Sequence, residues 1–304
     1  MALTNDFSWS KSRDEMFRAC LRRYYFQYYG SWGGWNPDSN PRTRQLYILK
    51  SLQSRAMWAG DRVHRAIHAA LTELRDSGKP PDAADAQERL LTEMRKDFRD
   101  SVARRYQQFP RKACGLFEHE YELEIADEQW KEIADHAVHC LETYYASEIF
   151  AQICVLPADA WLEMEELASF VLDGVKVYVQ LDFAQRTANG VKIFDWKTGR
   201  SAEPSAEVQL ACYALYAIEK WQVTPEQVQT IEFNLAGGLA TQHGLDAEKL
   251  DVMKDYIRDS ADEMSFLLED PATNRPQPED NFEFTDDEAH CRRCNFLKIC
   301  PRWT

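Results

Sequence analysis

The stretch "WLEMEELASFVLDGVKVYVQLDFAQRTANGVKIFDWKTG", residues 161–199, constrains the fold more than any other part of the chain. Apolar and polar residues alternate in WLEMEEL and VKVYVQLDF, and VKIFDW follows with the same bias. A period of two puts successive side chains on opposite faces of a strand, so alternation marks a strand with one face buried. Asp173-Gly174 and Asn189-Gly190 interrupt the pattern, and both dipeptides suit tight hairpin turns. The spacing predicts three antiparallel strands, at about 160–171, 175–184 and 191–197.

The surroundings are helical. SAEVQLACYALYAIEKW (205–221) reads as a helix with Ser205 as its N-cap. A fourth strand is expected at 229–238 and a charged amphipathic helix at 246–269. Residues 270–281, DPATNRPQPEDN, read as a linker. Upstream, helices are expected at 9–29, at 43–76 with a bend near Gly60, at 82–108 and at 126–150. A Gly/Pro/Asn loop with two tryptophans, GSWGGWNPDSNPR, separates the first two. The chain thus reads as α/β: a mainly helical region over 1–159, a core over 160–269 and a tail over 270–304.

At 304 residues and 44% hydrophobic content there is enough material for one large core or two small ones. No segment approaches the roughly 18 apolar residues of a membrane span. The start, MALTNDFSWSKSRDE, lacks a basic-then-apolar leader pattern. The expectation is a soluble, cytoplasmic protein with no membrane partner. The net charge of −14 argues at first against nucleic acid, but it is unevenly spread. Residues 1–112 hold 21 Lys+Arg against 13 Asp+Glu, and the rest hold 15 against 37. Such asymmetry can mark a polyanion-binding face, although solvated helix faces explain it as well.

Two strands each deliver an acid, Asp182 and Asp195, and Lys197 follows two residues after the second. Asp195 and Lys197 share a strand face. Both acids come late in their expected strands, and in a simple hairpin those ends lie apart, so periodicity alone does not bring them together. If they meet, two hard carboxylates suit Mg²⁺ or Mn²⁺. A lysine beside such an ion could stabilise developing charge on phosphorus or orient the attacking water.

Asp182, twelve residues, then Asp195-Trp196-Lys197 resembles the signature of the PD-(D/E)XK nucleases. DWKTG resembles the third motif of the RecB-type branch, GDRVH (60–64) its first motif, and QLACY (209–213) its Gln-x-x-x-Tyr motif. The resemblance runs from about residue 60 to 235 and departs mildly before Asp182, where Gln180-Leu181 stand in place of the usual Gly and apolar residue. It implies a restriction-endonuclease-like core, a central mixed sheet flanked by helices. It implies a metal held by His64, Asp182, Asp195 and the carbonyl of Trp196, with Lys197 acting on the water or transition state. Gln209 and Tyr213, at i and i+4 on one helix face, would position the lysine or the strand. His68 is read as structural. Glu163 and Glu165 are expected to face solvent, with a supporting role near the metal left to one of them.

Eight cysteines without a leader argue against a disulfide framework. Cys291-x2-Cys294-x5-Cys300 supplies three ligands and needs a fourth, for zinc or an iron–sulfur cluster. The five other cysteines are candidates, and Cys20, in an Arg/Tyr-rich helix before the motifs, is favoured. The resemblance agrees: iron–sulfur members of the RecB type, among them the AddB nuclease domain and the CRISPR adaptation exonuclease, carry one cysteine upstream and three in this spacing. A [4Fe-4S] cluster on Cys20, Cys291, Cys294 and Cys300 would then staple the two ends of the chain together.

The expected function is a metal-dependent DNA nuclease, an exonuclease on single-stranded or end-containing DNA. The resemblance places it in repair, recombination, phage defence or CRISPR-related processing, with protein partners in such complexes. The alternatives are a non-catalytic nucleic-acid-binding or assembly module and an RNA-directed enzyme. Tyr24, Tyr25, Trp32 and Trp35, near Arg22 and Arg23, could stack bases of a single strand, or pack against the cluster or core.

Overall fold

A computed structural model describes residues 4–199 and 206–303. The first half is helical: α1 (Lys11–Ala19), α2 (Leu21–Tyr25), α3 (Pro41–Leu49), α4 (Arg55–Ser77), α5 (Ala83–Val102), α6 (Arg105–Gln108), α7 (Phe117–Glu120), α8 (Asp127–Ala146) and α9 (Glu148–Ile153). Next come β1 (Trp161–Glu163), β2 (Leu167–Leu172), β3 (Val175–Gln180), β4 (Phe183–Thr187) and β5 (Gly190–Lys197). Helix α10 (Ala206–Trp221), β6 (Val228–Asn234), β7 (Leu239–His243) and α11 (Ala247–Ser265) complete the core. A small β8–β9 pair (Leu268–Asp270, Arg275–Pro276) and α12 (Glu288–Cys291) lie in the tail. Ser205, expected to cap α10, lies outside the described residues. Among the described residues no helix is long and apolar enough to cross a membrane.

The main sheet has the order β1-β4-β5-β6-β7. Only β5 and β6 run parallel, so the sheet is mixed. Helices cover both faces, and β5 shows why. Its Ile193 joins the apolar cluster of α10 and α11, whereas Phe194 and Trp196 join that of α4, α5 and α8. A strand buried on both faces has little need of polar positions, which makes Asp195 and Lys197 at its end conspicuous.

The sequence reading is corrected at several joints. The strand expected at 160–171 is two strands, and so is that at 175–184. β2 and β3 form a separate hairpin, closed by Asp173 and Gly174 with φ of 47° and 87°. Two successive positive φ angles are those of a type I′ turn. The β4–β5 loop is centred on Ala188-Asn189, and Gly190 already pairs with Thr187. The fourth strand stops at Asn234, and β7 follows. The helix expected at 9–29 breaks at Cys20, whose extended backbone caps α2. Those at 82–108 and 126–150 break at Ala103-Arg104 and at Ser147.

No break falls at Gly60. Helix α4 runs straight through it, starting where Ser54 accepts from the Met57 N–H and ending at Gly78 with φ 74°. A glycine inside a helix costs about 1 kcal/mol against alanine. Here a Cβ would stand 2.9 Å from Thr198 Oγ1, so the glycine lets α4 approach the end of β5 closely.

Candidate active site

β4 begins one residue after Asp182, and Phe183 pairs with Phe194. Asp182 therefore sits at the start of a new strand, beside the end of β5, and meets Asp195. Its Oδ2 accepts the Trp196 N–H at 2.6 Å. The chain can change sheets here because the carbonyls of Gln180 and Leu181 find partners outside either ladder: Tyr213 Oη donates to the first, the Glu165 N–H to the second, both at 2.8 Å.

Helix α4 supplies His64. Its Nδ1 lies 2.9 Å from Asp182 Oδ1 and 3.3 Å from Glu165 Oε1. One ligand atom from each of His64, Glu165 and Asp182 lies within 4.8 Å of the others. Glu165 is thus in the site rather than facing solvent, in the supporting place that the resemblance left to one of the two glutamates. Its φ of 54° breaks the strand parity from which the solvent-facing expectation came. Gln180 Nε2 donates to its Oε2 at 2.9 Å. Glu163 turns elsewhere and accepts from Tyr216 Oη at 2.6 Å. His68 is not part of the group.

Lys197 Nζ lies 2.9 Å from Asp195 Oδ2 and donates to Gln209 Oε1 at 2.8 Å. Gln209 Nε2 donates to Tyr213 Oη at 2.6 Å. Asp195 Oδ1 stands 3.4 Å from the same hydroxyl. The i and i+4 side chains of α10 therefore grip the lysine from one side while Asp195 grips it from the other.

The electrostatics are those of crowded acids. Burial pushes the Asp182 carboxyl up to about 6; Asp195 and Glu165 add to the rise, and His64 opposes it. Burial alone would lower His64, yet Asp182 and Glu165 hold it well above its usual value. Burial likewise disfavours the Glu165 carboxylate, but His64 and Gln180 outweigh it and its pKa is lowered. Two acids, Glu165 and Asp182, and the His64 imidazole converge on one point, a donor set that fits a hard divalent ion such as Mg²⁺ or Mn²⁺.

A second cluster forms around the tail. Cys20, Cys291, Cys294 and Cys300 line one cavity, walled by Arg22, Arg23, Phe26 and Phe296. Cys114, Cys140, Cys154 and Cys212 are not among its lining residues. Burial pushes the Cys294 thiol up to about 11, and Cys20 and Cys300 push the same way. Cys291 is buried and the other three are half-buried, and four thiols lining one cavity are a donor set that suits a thiolate-bound metal centre. Tyr24 is fully buried and so closed to a base, Tyr25 is half-buried and packs on Phe282, and Trp32 is 37% exposed.

A mixed sheet flanked by helices, with Asp182, Asp195 and Lys197 at one junction, defines a restriction-endonuclease-like fold. The model of the PD-(D/E)XK nuclease superfamily matches residues 8–301, and the chain belongs to that superfamily. Its members are usually nucleases that use divalent metals. No curated protein matches the chain. The crystal structure of SSO0001 is similar over 57% of this chain and 79% of its own, at 16% identity and a TM-score of 0.28.

Proposed function

We propose that the chain is a metal-dependent deoxyribonuclease of the RecB type, acting on single-stranded or end-containing DNA. The observation that carries this reading is the convergence of His64, Glu165 and Asp182 beside the Asp195–Lys197 pair. A non-catalytic module has no need of a buried lysine gripped between a carboxylate and an oriented glutamine.

His64, Glu165, Asp182, Asp195 and the Trp196 carbonyl would hold the metal, which would supply Lewis-acid activation of the scissile phosphate and a water of lowered pKa. The Trp196 N–H fixes the Asp182 carboxylate against the end of β5. Asp195 and Gln209 hold the Lys197 ammonium at the sheet end. There it would stabilise charge growing on the phosphoryl oxygens, or orient the attacking water. Tyr213 keeps the Gln209 amide turned so that its oxygen faces the lysine.

Cys20, Cys291, Cys294 and Cys300 would hold a [4Fe-4S] cluster, with the AddB nuclease domain and the CRISPR adaptation exonuclease as similar cases. Residues 1–159 would bring the first motif, 160–269 the reaction centre and 270–304 the staple.

The test is cleavage of end-labelled single- and double-stranded DNA and single-stranded RNA with Mg²⁺ or Mn²⁺, beside Asp195→Ala. Wild type should cut DNA, and Asp195→Ala should bind it without cutting. Equal cleavage by both would remove the metal-site assignment. Preferred cutting of RNA would turn the reading to the RNA-directed alternative.

A further inference from the structure

The basic first third of the chain holds a cluster that the reaction centre does not use. Trp32 and Trp35, in the loop before α3, pack edge to face with ring centres 4.8 Å apart. Trp35 packs in turn on Tyr47 of α3 at 6.1 Å. Three cations surround this ladder. The Arg44 guanidinium lies 6.0 Å from the Tyr47 ring centre, Lys50 Nζ lies 5.3 Å from it, and the Arg111 guanidinium lies 5.9 Å from that of Trp35.

The partners that the described residues offer these three are not acids. Arg44 donates to the carbonyls of Gly34 and Gln108, and Arg111 Nε to Tyr47 Oη at 2.8 Å. Among the described residues no carboxylate forms an ion pair with Arg44, Lys50 or Arg111. The group lies within residues 1–112, which hold 21 bases to 13 acids in a chain of 36 bases and 50 acids. Burial and the Arg111 charge both lower the Lys50 pKa, as happens when like charges lack a counter-ion.

We propose that Trp32, backed by Trp35 and the buried Tyr47, forms with Arg44, Lys50 and Arg111 a binding platform for a single nucleic-acid strand, separate from the reaction centre. Single strands are held by aromatic faces that stack on bases and by cations that follow the phosphates. Trp32, at 37% exposed, offers the ring, and the uncompensated cations offer the charge. An acidic polypeptide would satisfy the cations and leave the indole unused. The ligand class rests on the nuclease reading, but the platform's existence is tested by binding alone.

The experiment uses the full chain in chelator, where no cleavage occurs. Anisotropy of labelled single-stranded DNA is measured against salt, with duplex DNA and polyglutamate as competitors. Trp32→Ala should weaken single-strand binding about 5- to 150-fold, the effect of one lost base stack, and Trp32→Phe should restore most of it. Lys50→Gln with Arg111→Gln should reduce the salt slope by about 1.4, at about 0.7 per phosphate contact on a single strand. Thermal melting identifies variants that remain folded. Folded variants that bind and respond to salt like wild type overturn the platform. Polyglutamate displacing the strand from wild type but not from the Lys50/Arg111 variant, with Trp32→Ala silent, assigns the patch to an acidic protein and also overturns it. Normal platform behaviour in a chain that never cleaves DNA overturns the nuclease reading alone.

Discussion

Tyr213→Phe removes one oxygen from the centre of the site and leaves the ring in place. That oxygen accepts from Gln209 Nε2 at 2.6 Å and donates to the Gln180 carbonyl at 2.8 Å. Two effects of different size follow. The first is on folding. Two neutral hydrogen bonds are worth about 1 kcal/mol each, and a buried carbonyl left alone costs about 1–3 kcal/mol. With ring packing kept, destabilisation should be about 2 kcal/mol. The second effect is on Lys197. Once free to turn, the Gln209 amide no longer presents its oxygen to the ammonium. A hydrogen bond to a charged group is worth about 1.5–3 kcal/mol, equivalent to about 10- to 150-fold in rate. Asp195 still holds the ammonium at 2.9 Å, so the loss should fall at the low end, about 10-fold. The assay is single-turnover cleavage of end-labelled DNA at saturating Mn²⁺, with calorimetry for metal affinity and Lys197→Ala alongside. Lys197→Ala should lose about 10²-fold or more. Metal affinity should hold in both variants. A Tyr213→Phe enzyme as slow as Lys197→Ala would refute a positioning role, and one at full rate would refute the relay through Gln209.

Glu165→Gln should weaken Mn²⁺ binding by at least about 10-fold without unfolding the chain; calorimetry showing wild-type affinity would remove Glu165 from the site. The Asp182 carboxyl is held up at about 6, against 3.8 ordinarily. At Asp182 the folded chain without metal therefore binds more protons than the unfolded one between those values, and this group's contribution to stability should fall as pH rises through that window. Asp182→Asn should flatten the fall in melting profiles taken in chelator; profiles parallel to wild type would contradict this. Anaerobically purified protein should be brown, and Cys20→Ser should bleach it and destabilise it by about 4–5 kcal/mol, taking loop-closure entropy as the guide. Cys114→Ser, Cys140→Ser, Cys154→Ser and Cys212→Ser should keep the colour. Colourless wild type with one zinc per chain would replace the cluster by zinc.

Much of the site can be read from spacing, and the exceptions have physical causes. Gln209 and Tyr213 are four apart on a helix, and helix geometry alone puts them side by side. Asp195 and Lys197 share a face for the equivalent reason in a strand. The meeting of Asp182 with Asp195 was not legible. VKVYVQLDF alternates across the point where the chain leaves β3, with no Gly or Pro at Leu181-Asp182 to mark it. What breaks the strand there is a tyrosine hydroxyl from α10 and an amide from Glu165, both tertiary partners. Glu165 was hidden by the same kind of event, a left-handed φ at a residue with no turn signature. Gly60 misled in the other direction: a glycine that reads as a bend in one helix serves a contact with another element.

The long-range bonds of Asn5, Trp9 and Arg22 also set a timetable for synthesis. Trp9 donates to Ser260, Arg22 to the carbonyl of Phe282, and Asn5 accepts from Asn274. The partners of the first turns of chain are thus made about 250–270 residues later. At about 5–20 residues per second, the amino-terminal segment waits some 13–50 s on the ribosome before its binding sites exist. Through that interval Trp9 and Tyr24 have no native core to enter. The nascent chain therefore carries these groups unpartnered until Ser260, Asn274 and Phe282 have been made, and a chain cut short before Ser260 forms none of the three bonds.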